Sequence, residues 1–508
     1  MMTWVLWALL ALAGMLAAGL GSVWWTGRYS LRKIGMPSHV MPPGEGGALD
    51  DLLAPIEAGK PGQSGVHLVA DSGAALAKRL AMAQAAHRSL DLMYYIWDDD
   101  LSGRFLAQAL LEAADRGVRV RMLLDDVNVL NHDPIYRALD RHQRIEVRLF
   151  NPIRNRDRGF RRGFEILLNL LPYNRRMHGK MWITDGRLAL TGGRNIGDAY
   201  FGVLDGPGHN YDDLDTMLSG AVLRKAEALF DTFWNSGVAL PIRTLWPGKR
   251  TRLNRFRTRL SRYLARPETR DRLAEKALHA PEDAVRALEI GALQWAENVR
   301  FLGDPPQKAL AKEPDGWMPA ALLPLVQNAK SRVRILTPYL VPGPQGLAQL
   351  QALAKSGVRV EIVTNGLALS DNVLVHGAYR WYRSRLLAAG VKIFEVAAHS
   401  APSQMLHSKA FLVDDQDGFI GSFNFDLRSA LLNTELGVVF DNPPLIQALS
   451  SYIDAACAPD CAYSLTLKGR WIGWSRGDDG VTHLEPDSSI AKRALSFAVG
   501  HLPIHRFL

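Results

Sequence analysis

The sequence predicts an α/β protein built from two tandem copies of one domain, related by a pseudo-twofold axis and preceded by an apolar helix. Three observations carry this. Apolar runs of strand length alternate with segments of helical periodicity. The second half of the chain replays the order of the first. The first 27 residues hold no charged side chain.

Residues 1–27 are dominated by Leu, Ala, Val, Trp and Gly, and roughly 20 apolar residues suffice to cross a bilayer. Trp24 and Trp25 stand where an interfacial aromatic belt lies, and Arg28, Arg32 and Lys33 follow. A secretory signal peptide opens on positive charge and has a shorter apolar core. This segment has neither feature and shows no small-residue cleavage site, so it reads as an uncleaved transmembrane anchor. The basic flank places the bulk of the chain on the cytoplasmic side. Residues 28–65 read as a linker, rich in Pro and Gly from Pro37 on.

The first domain, 66–240, contains "LDLMYYIW", "SGRFLAQALLEAADRG" and "RVRMLLDD": a strand, a helix closed by Gly, and a strand. The second, 321–508, answers with "VRILTPYLV" and "GLAQLQALAKSGVRVEIVTNG". The kernel GVRV starts at Gly117 and again at Gly357, 240 positions on. "RHQRIEVRLF" is then matched by "RLLAAGVKIFEV", and a His motif follows each. So long a period marks a duplicated domain rather than a short-period solenoid. Two copies packed about a twofold axis bring equivalent segments face to face. Between them, 241–320 reads as a basic, mostly helical linker with Arg250, Arg252, Arg255, Arg257, Arg259 and Arg262. Such a stretch is either a solvated helix face or a contact for anionic lipid headgroups. Arg154, Arg156, Arg158, Arg161 and Arg162 form a second basic cluster.

At 508 residues the chain has room for two or three domains with their own cores. Its formal net charge of +9 favours anionic partners, nucleic acid or an anionic membrane surface, without choosing between them. The two cysteines, Cys457 and Cys461, make no disulfide framework. Their spacing lacks the second Cys or His pair of a zinc site, and they read as two small thiols. The sequence implies no metal and no other cofactor.

The chemistry is concentrated in "MHGKMWITDGRLALTGGRN", 177–195, and "LHSKAFLVDDQDGFIGSFN", 406–424. His178, Lys180, Asp185 and Asn195 recur at the same offsets as His407, Lys409, Asp414 and Asn424. Asp185-Gly186 is a two-residue hairpin signal. Such a turn sets Thr184 opposite Arg187, Lys180 opposite Thr191 and His178 opposite Gly193. Alternation along the strand then puts His178 and Lys180 on one face, with Asn195 near the open end. Asp185 falls at the other end and reads mainly as a turn or ion-pair residue.

One rim of this kind binds a phosphate. Lys and Asn suit phosphate oxygens and the charge that builds on them during transfer, and His attacks or moves a proton. Two opposed rims allow one His to attack phosphorus while the other protonates the leaving alcohol, with two lysines stabilising charge. A nucleophilic His needs its second ring nitrogen held by an acceptor, usually a carboxylate. After the second motif the candidate is Glu435. After the first it is Asp213 or Asp215, both at the start of an apolar run, and Asp213 is preferred.

At these residues the chain resembles the phospholipase D superfamily, whose signature is the paired HKD motif, over roughly Val66 to Phe440. Within it, "YYIWDDDLSGRFLAQALLEAADRGVRVRMLLDD", "RIEVRLFNP", "NRRMHGK", "GGRNIGDAYFG", "DLD" and "HLPIHRFL" are most similar to the bacterial cardiolipin synthases of the type C branch. The resemblance implies a mixed β-sheet flanked by helices in each half, an active site at their interface and a covalent phosphatidyl-histidine intermediate. It implies His178 as nucleophile and His407 as general acid/base, an assignment that near-symmetry leaves reversible. Lys180, Lys409, Asn195 and Asn424 would bind phosphate, and Asp185 and Asp414 belong to the catalytic set as motif members. Ser422 counts as a phosphate ligand, and Gly193, its counterpart, lacks the hydroxyl. The implied reaction moves a phosphatidyl group from phosphatidylglycerol or phosphatidylethanolamine to the terminal hydroxyl of phosphatidylglycerol, at the bacterial inner membrane.

Other functions compete. Water in place of the alcohol would give phosphatidic acid. A nuclease of the same superfamily would suit the positive charge, but an apolar anchor argues against a nucleic acid partner. Tyrosyl-DNA phosphodiesterases lack the Asp present here as Asp185 and Asp414. A non-catalytic membrane scaffold would leave two intact motifs without a use.

Overall fold

A computed structural model of the chain describes residues 7, 10–21, 35–130, 132–156, 159–245, 252–276, 281–312, 316–399, 404–478 and 480–500. Its strands are β1 (Ser64–Val69), β2 (Ser89–Tyr94), β3 (Arg119–Asp125), β4 (Ile145–Phe150), β5 (Met181–Thr184), β6 (Leu188–Gly192), β7 (Tyr211–Asp212), β8 (Asp215–Gly220), β9 (Ala239–Pro241) and β10 (Gln294–Ala296). They continue with β11 (Arg300–Gly303), β12 (Arg332–Leu336), β13 (Arg359–Asn365), β14 (Lys392–Val396), β15 (Met405–Leu406), β16 (Ala410–Val413), β17 (Asp417–Gly421), β18 (Leu436–Phe440), β19 (Ala462–Lys468) and β20 (Trp471–Ser475).

The described residues form two nine-stranded mixed sheets, in the orders β10-β1-β8-β6-β5-β2-β3-β4-β9 and β11-β18-β17-β16-β12-β13-β14-β19-β20. In each, three adjacent strands run parallel: β2, β3 and β4, and again β12, β13 and β14. Parallel neighbours need crossovers. The helices Leu101–Asp115 and Gly343–Lys355 supply the first crossover of each half. Gly117 and Gly357 follow these helices at φ +101 and +94, a conformation that L side chains resist, and the next residues enter β3 and β13. This is the physical content of the repeated GVRV. Every residue of β2 is buried, Ser89 and Asp91 included, and the Asp91 carboxylate is matched there by Arg121 at 2.5 Å.

Each sheet has its own core on its outer, helix-covered side. A third cluster lies between the halves, with Met177, Met181, Leu218 and Phe230 from the first against Leu406, Leu412, Ile420 and Leu436 from the second. Its rim is stitched by backbone in a twofold pattern. The amide of His178 donates to the Thr434 carbonyl (2.9 Å), and that of His407 donates to the Asp212 carbonyl (2.7 Å). β7 and β15 pair in parallel, as do Met177 and Thr434.

Four expectations change. The Asp185-Gly186 turn forms with both residues at positive φ (+53 and +66), and Arg187 N donates to Thr184 O. The ladder, however, pairs Thr184 with Leu188 and Met181 with Thr191, so Arg187 is extra and the register differs by one. Residues 28–65 are not merely a linker, because they include the helix Ala48–Ala58 and the start of β1. Residues 241–320 hold the helices Leu253–Leu264 and Pro267–Glu275, but also β10 and β11, each at an edge of one sheet. Arg156 is no surface cation. It is buried between Asp126 (2.5 Å) and Asp133 (3.0 Å). Arg158, Arg250 and the closing "HLPIHRFL", residues 501–508, lie outside the described residues.

Residues 10–21 are helical, with Leu10, Leu12, Met15, Leu16 and Leu20 exposed. The remainder of residues 1–27, apart from Trp7, lies outside the described residues. Among the described residues no helix is long and apolar enough to cross a membrane. Cys457 and Cys461 are free thiols, both half-buried, and burial pushes Cys457 up to about 11.

Candidate active site

The hairpins β5–β6 and β16–β17 present the two His motifs to a single cleft of about 320 Å³ between the halves. His178, Asn195, His407 and Asn424 all line it. Each hairpin is fixed at its far end by the motif aspartate. Asp185 accepts from the amides of His87, Arg88 and Ser89 (2.7–2.8 Å). Asp414 does the same for Lys330, Ser331 and Arg332 (2.7–2.9 Å). Asp185 and Asp414 therefore do not reach the reacting groups. They staple the hairpin turn to the start of the neighbouring central strand, because they sit at the opposite end of their strands from the His.

The carboxylates cross the twofold axis. His178 Nδ1 lies 2.8 Å from Glu435 Oε2, and His407 Nδ1 lies 2.5 Å from Asp213 Oδ2. Each imidazole is thus held by an acid from the other half, which leaves its Nε2 for the cleft. Asp215 is engaged elsewhere, receiving the buried guanidinium of Arg79 (2.9 Å) and that of Arg194 (3.1 Å). Arg194 in turn donates to the Asp213 carbonyl (2.6 Å). On the other side, the Asp304 amide donates to the Glu435 carbonyl, and the Asp304 carboxylate accepts from the Glu435 amide and from Lys308, all at 2.8 Å.

Gly193 and Ser422 serve these acids rather than the cleft, which neither of them lines. The Ser422 hydroxyl donates to Glu435 Oε2 at 2.6 Å. A Cβ at Gly193 would fall 2.1 Å from Asp213 Oδ1. One half has Ser with Glu and the other Gly with Asp, because the space beside each acid differs.

Lys180 and Lys409 lie beneath the imidazoles, each donating to the carbonyl of its own motif His. Lys409 Nζ also comes within 2.8 Å of His407 Nδ1. One ring nitrogen cannot donate and accept at once. The shorter carboxylate contact claims the Nδ1 proton, and the ammonium acts there as a neighbouring charge. Asn195 is engaged at both ends, accepting from Ile96 N (3.1 Å) and donating to the Tyr200 hydroxyl (2.8 Å). Asn424 keeps a buried amide oxygen with no partner among the described residues.

Burial dominates the electrostatics. It pulls His178 down to about 4, Lys180 adding to the fall and Glu435 opposing it. It pulls His407 down to about 3, with Lys409 adding and Asp213 opposing. Burial also lowers Lys180 to about 7 and Lys409 to about 8. The same burial raises Asp213 and Glu435, but the adjacent His, cationic only at the low pH where these acids titrate, and the adjacent Lys more than offset it and hold both below the ordinary carboxylate range. Each couple is an ionised carboxylate accepting from a neutral imidazole.

The family described as "Cardiolipin synthase, PLD-like domain" matches residues 79–234 and 322–456. Cardiolipin synthase C of Escherichia coli is 36% identical over 485 residues, covering 91% of this chain and 99% of that protein. The chain belongs to the cardiolipin synthase family of phospholipase D-like proteins. Cardiolipin synthase A of Buchnera aphidicola is 26% identical over 70% of this chain and 62% of its own length. Among solved structures, the phosphatidylserine synthase of Haemophilus influenzae has the same fold, with a TM-score of 0.51 at 14% identity over 77% of this chain and 85% of that one.

Motif reading missed much of this family member's cleft wall. Tyr95, Tyr200, Tyr211 and Tyr339 line it. The Tyr95 ring stands 5.0 Å from that of His178, and the Tyr211 ring 4.8 Å from that of His407. Asp371, Arg428 and Asn433 complete the rim. Tyr95 ends an apolar strand run, where an aromatic reads as core. Tyr200 closes a short 3-10 turn, Tyr211 begins the two-residue β7 and Tyr339 lies in a loop, with no spacing to mark them.

The pKa directions give a pH profile with defined limbs. If His178 attacks and the two lysines stabilise charge, protonation of His178 below about 4 sets the acid limb, and loss of the Lys180 and Lys409 protons near 7 and 8 sets the alkaline one. On a monodisperse phosphodiester whose nitrophenolate leaving group needs no proton from His407, kcat/KM is expected to rise through pH 4 and fall through pH 7 to 8. A profile flat from neutrality to well above pH 9 would remove the lysines from this role. Stability follows its own sign. Both imidazoles titrate below their unfolded value of 6.5, so the unfolded chain binds more protons. Their contribution is full above 6.5 and is lost as pH falls through 4 and 3.

Proposed function

We propose that the protein is a phosphatidyltransferase that makes cardiolipin. The observation that carries this reading is the pair of crossed His–carboxylate couples facing one cleft, and the 36% identity to Cardiolipin synthase C supports the substrate class.

His178 Nε2 attacks the donor phosphorus while the Glu435 carboxylate steadies the positive charge growing on the ring. The P–O bond to the headgroup alcohol breaks, and His407, protonated, gives its proton to the departing oxygen. In the empty site His407 is neutral, and the phosphodiester's negative charge favours the protonated form of the imidazole it meets. The phosphatidyl group now rests on His178 through a P–N bond. A terminal hydroxyl of phosphatidylglycerol then enters, His407 takes its proton, and the oxygen displaces His178. Lys180 and Lys409 supply positive charge from below, and Asn195 and Asn424 bound the phosphate from the sides. The tyrosine collar limits water, which favours an alcohol as acceptor. Phosphatidylglycerol and phosphatidylethanolamine both remain as donors. Residues 1–27 serve as a single-pass anchor in the bacterial inner membrane, with the catalytic body on the cytoplasmic side.

The test is expression in a bacterium stripped of its own cardiolipin synthases, with total lipid read by mass spectrometry. Cardiolipin should appear with the wild-type chain and be absent with His178→Ala. Phosphatidic acid without cardiolipin would replace this reading by hydrolysis, and headgroup labelling identifies the donor.

A further inference from the structure

The helix Phe160–Leu168 and the turn of helix Leu170–Tyr173 lie just before the first His motif, and their outward face is unlike the rest of the surface. Phe160, Leu167, Leu170 and Leu171 project from it, Leu167 at 67% and Leu171 at 78% exposure. Isolated apolar side chains on a surface are ordinary, but a contiguous strip marks an interaction site. Arg161 and Arg162 accompany the strip. Glu165 is the single carboxylate between residues 160 and 175, and it is turned inward. It is buried and accepts from the amides of Arg154 and Asn155 (both 2.8 Å) and from the Tyr173 hydroxyl. The segment is thus fixed by its one acid and shows only apolar and cationic groups outward.

Two contacts give this face a direction. The apolar helix 10–21 packs on it so closely that a Cβ at Gly19 would fall 1.8 Å from the Phe164 ring. At the other end, the cleft-lining Arg428 donates to the side chain (2.7 Å) and carbonyl (3.0 Å) of Asn174. The apolar strip therefore meets the N-terminal helix at one end, and at the other a polar contact joins its segment to the cleft mouth.

We infer that residues 160–173 are an interfacial docking element for an anionic phospholipid bilayer, which seats the cleft mouth at the headgroup layer. An amphipathic helix with a cationic border lies in the interface plane with its apolar face about 5–10 Å deep, and negative headgroups attract the arginines. A protein partner would need complementary acids, whereas a bilayer containing phosphatidylglycerol supplies anionic charge and an apolar interior together. This inference rests on the proposed function for its kinetic arm alone.

The first arm needs no activity. In the full-length chain carrying Cys457→Ser and Cys461→Ser, an environment-sensitive fluorophore is placed at Leu167→Cys or Leu171→Cys. On phosphatidylglycerol-containing vesicles the emission should shift to the blue and be quenched by doxyl lipids. A probe at Gln447→Cys, on the helix Pro443–Cys457, should show neither. Equal quenching at Gln447, or none at Leu167 and Leu171, overturns the inference. Neutralising Arg161 and Arg162 to Gln should weaken vesicle binding about fivefold per residue at low salt. The second arm replaces Leu167, Leu170 and Leu171 together by Ser. Turnover on vesicles should fall about tenfold or more, and turnover of a monodisperse short-chain phospholipid should stay within about twofold. Equal loss on both substrates would make the segment structural. A wild-type chain inactive on both would count against the proposed function and leave the quenching result to decide docking.

Discussion

His178→Ala is expected to lower phosphatidyl transfer by about 10⁴-fold or more, because a nucleophile within a cooperating set takes nearly the whole chemical advantage with it. His407→Ala should cost nearly as much with natural lipids, since an alkoxide is a poor leaving group without a proton. The two differ with a donor whose leaving group departs unprotonated, such as a nitrophenyl phosphodiester. Loss of the acid then no longer matters to the first step. His407→Ala should release one equivalent of nitrophenol in a burst and retain the phosphatidyl group on His178. His178→Ala should give no burst. Intact-mass and peptide mass spectrometry would locate the adduct. An adduct on His407 in the His178 variant would reverse the roles, and bursts from neither variant would remove covalent catalysis from the account. Structural damage is separable, because both imidazoles are bound at their amides as well as at Nδ1 and each replacement leaves the backbone pairing to Thr434 or Asp212 in place.

Local patterns made the repeat, the hairpins and the motif residues legible in the sequence. What was not legible depends on distance. His178 meets Glu435 across 257 positions, and His407 meets Asp213 across 194. No spacing within one half reveals that the acids are exchanged. Gly193 looked like a missing ligand until the Asp213 carboxylate was seen to occupy the space its side chain would need. Ser422 reads as a phosphate ligand from its motif position, whereas its hydroxyl donates to Glu435. Arg187 shifted the hairpin register because turn chemistry sets the turn and not the pairing beyond it. Arg156 looked like part of a basic patch, although two carboxylates at positions 126 and 133 bury it. Each of these depends on a tertiary partner, so charge and periodicity along the chain could not show it.

The exchange of acids leads to a second large expected effect, and one with a direction. Glu435→Gln and Asp213→Asn should each lower kcat by roughly 10²- to 10⁴-fold while leaving the fold intact, since an amide fills the same space but can hold the imidazole in the wrong tautomer. With Nε2 protonated, His178 cannot attack. With Nδ1 unprotonated and no anion behind it, His407 loses the stabilisation of its charged form. The nitrophenyl donor tells these apart. Glu435→Gln should behave like the nucleophile variant and give no burst, although Glu435 lies in the half that carries His407. Asp213→Asn should behave like the acid variant and keep the burst. Pairing within each half predicts the opposite assignment, so one experiment decides between the crossed and uncrossed arrangements. The supporting residues should follow in graded fashion. Ser422→Ala removes one donor from Glu435 and should cost only about tenfold, near the worth of a hydrogen bond to a charged group. Gly193→Ser forces a side chain into the Asp213 carboxylate and should cost more than Ser422→Ala, although it would restore the hydroxyl that the first motif lacks beside the second. That ordering follows only if the two positions act on the acids and not on the phosphate.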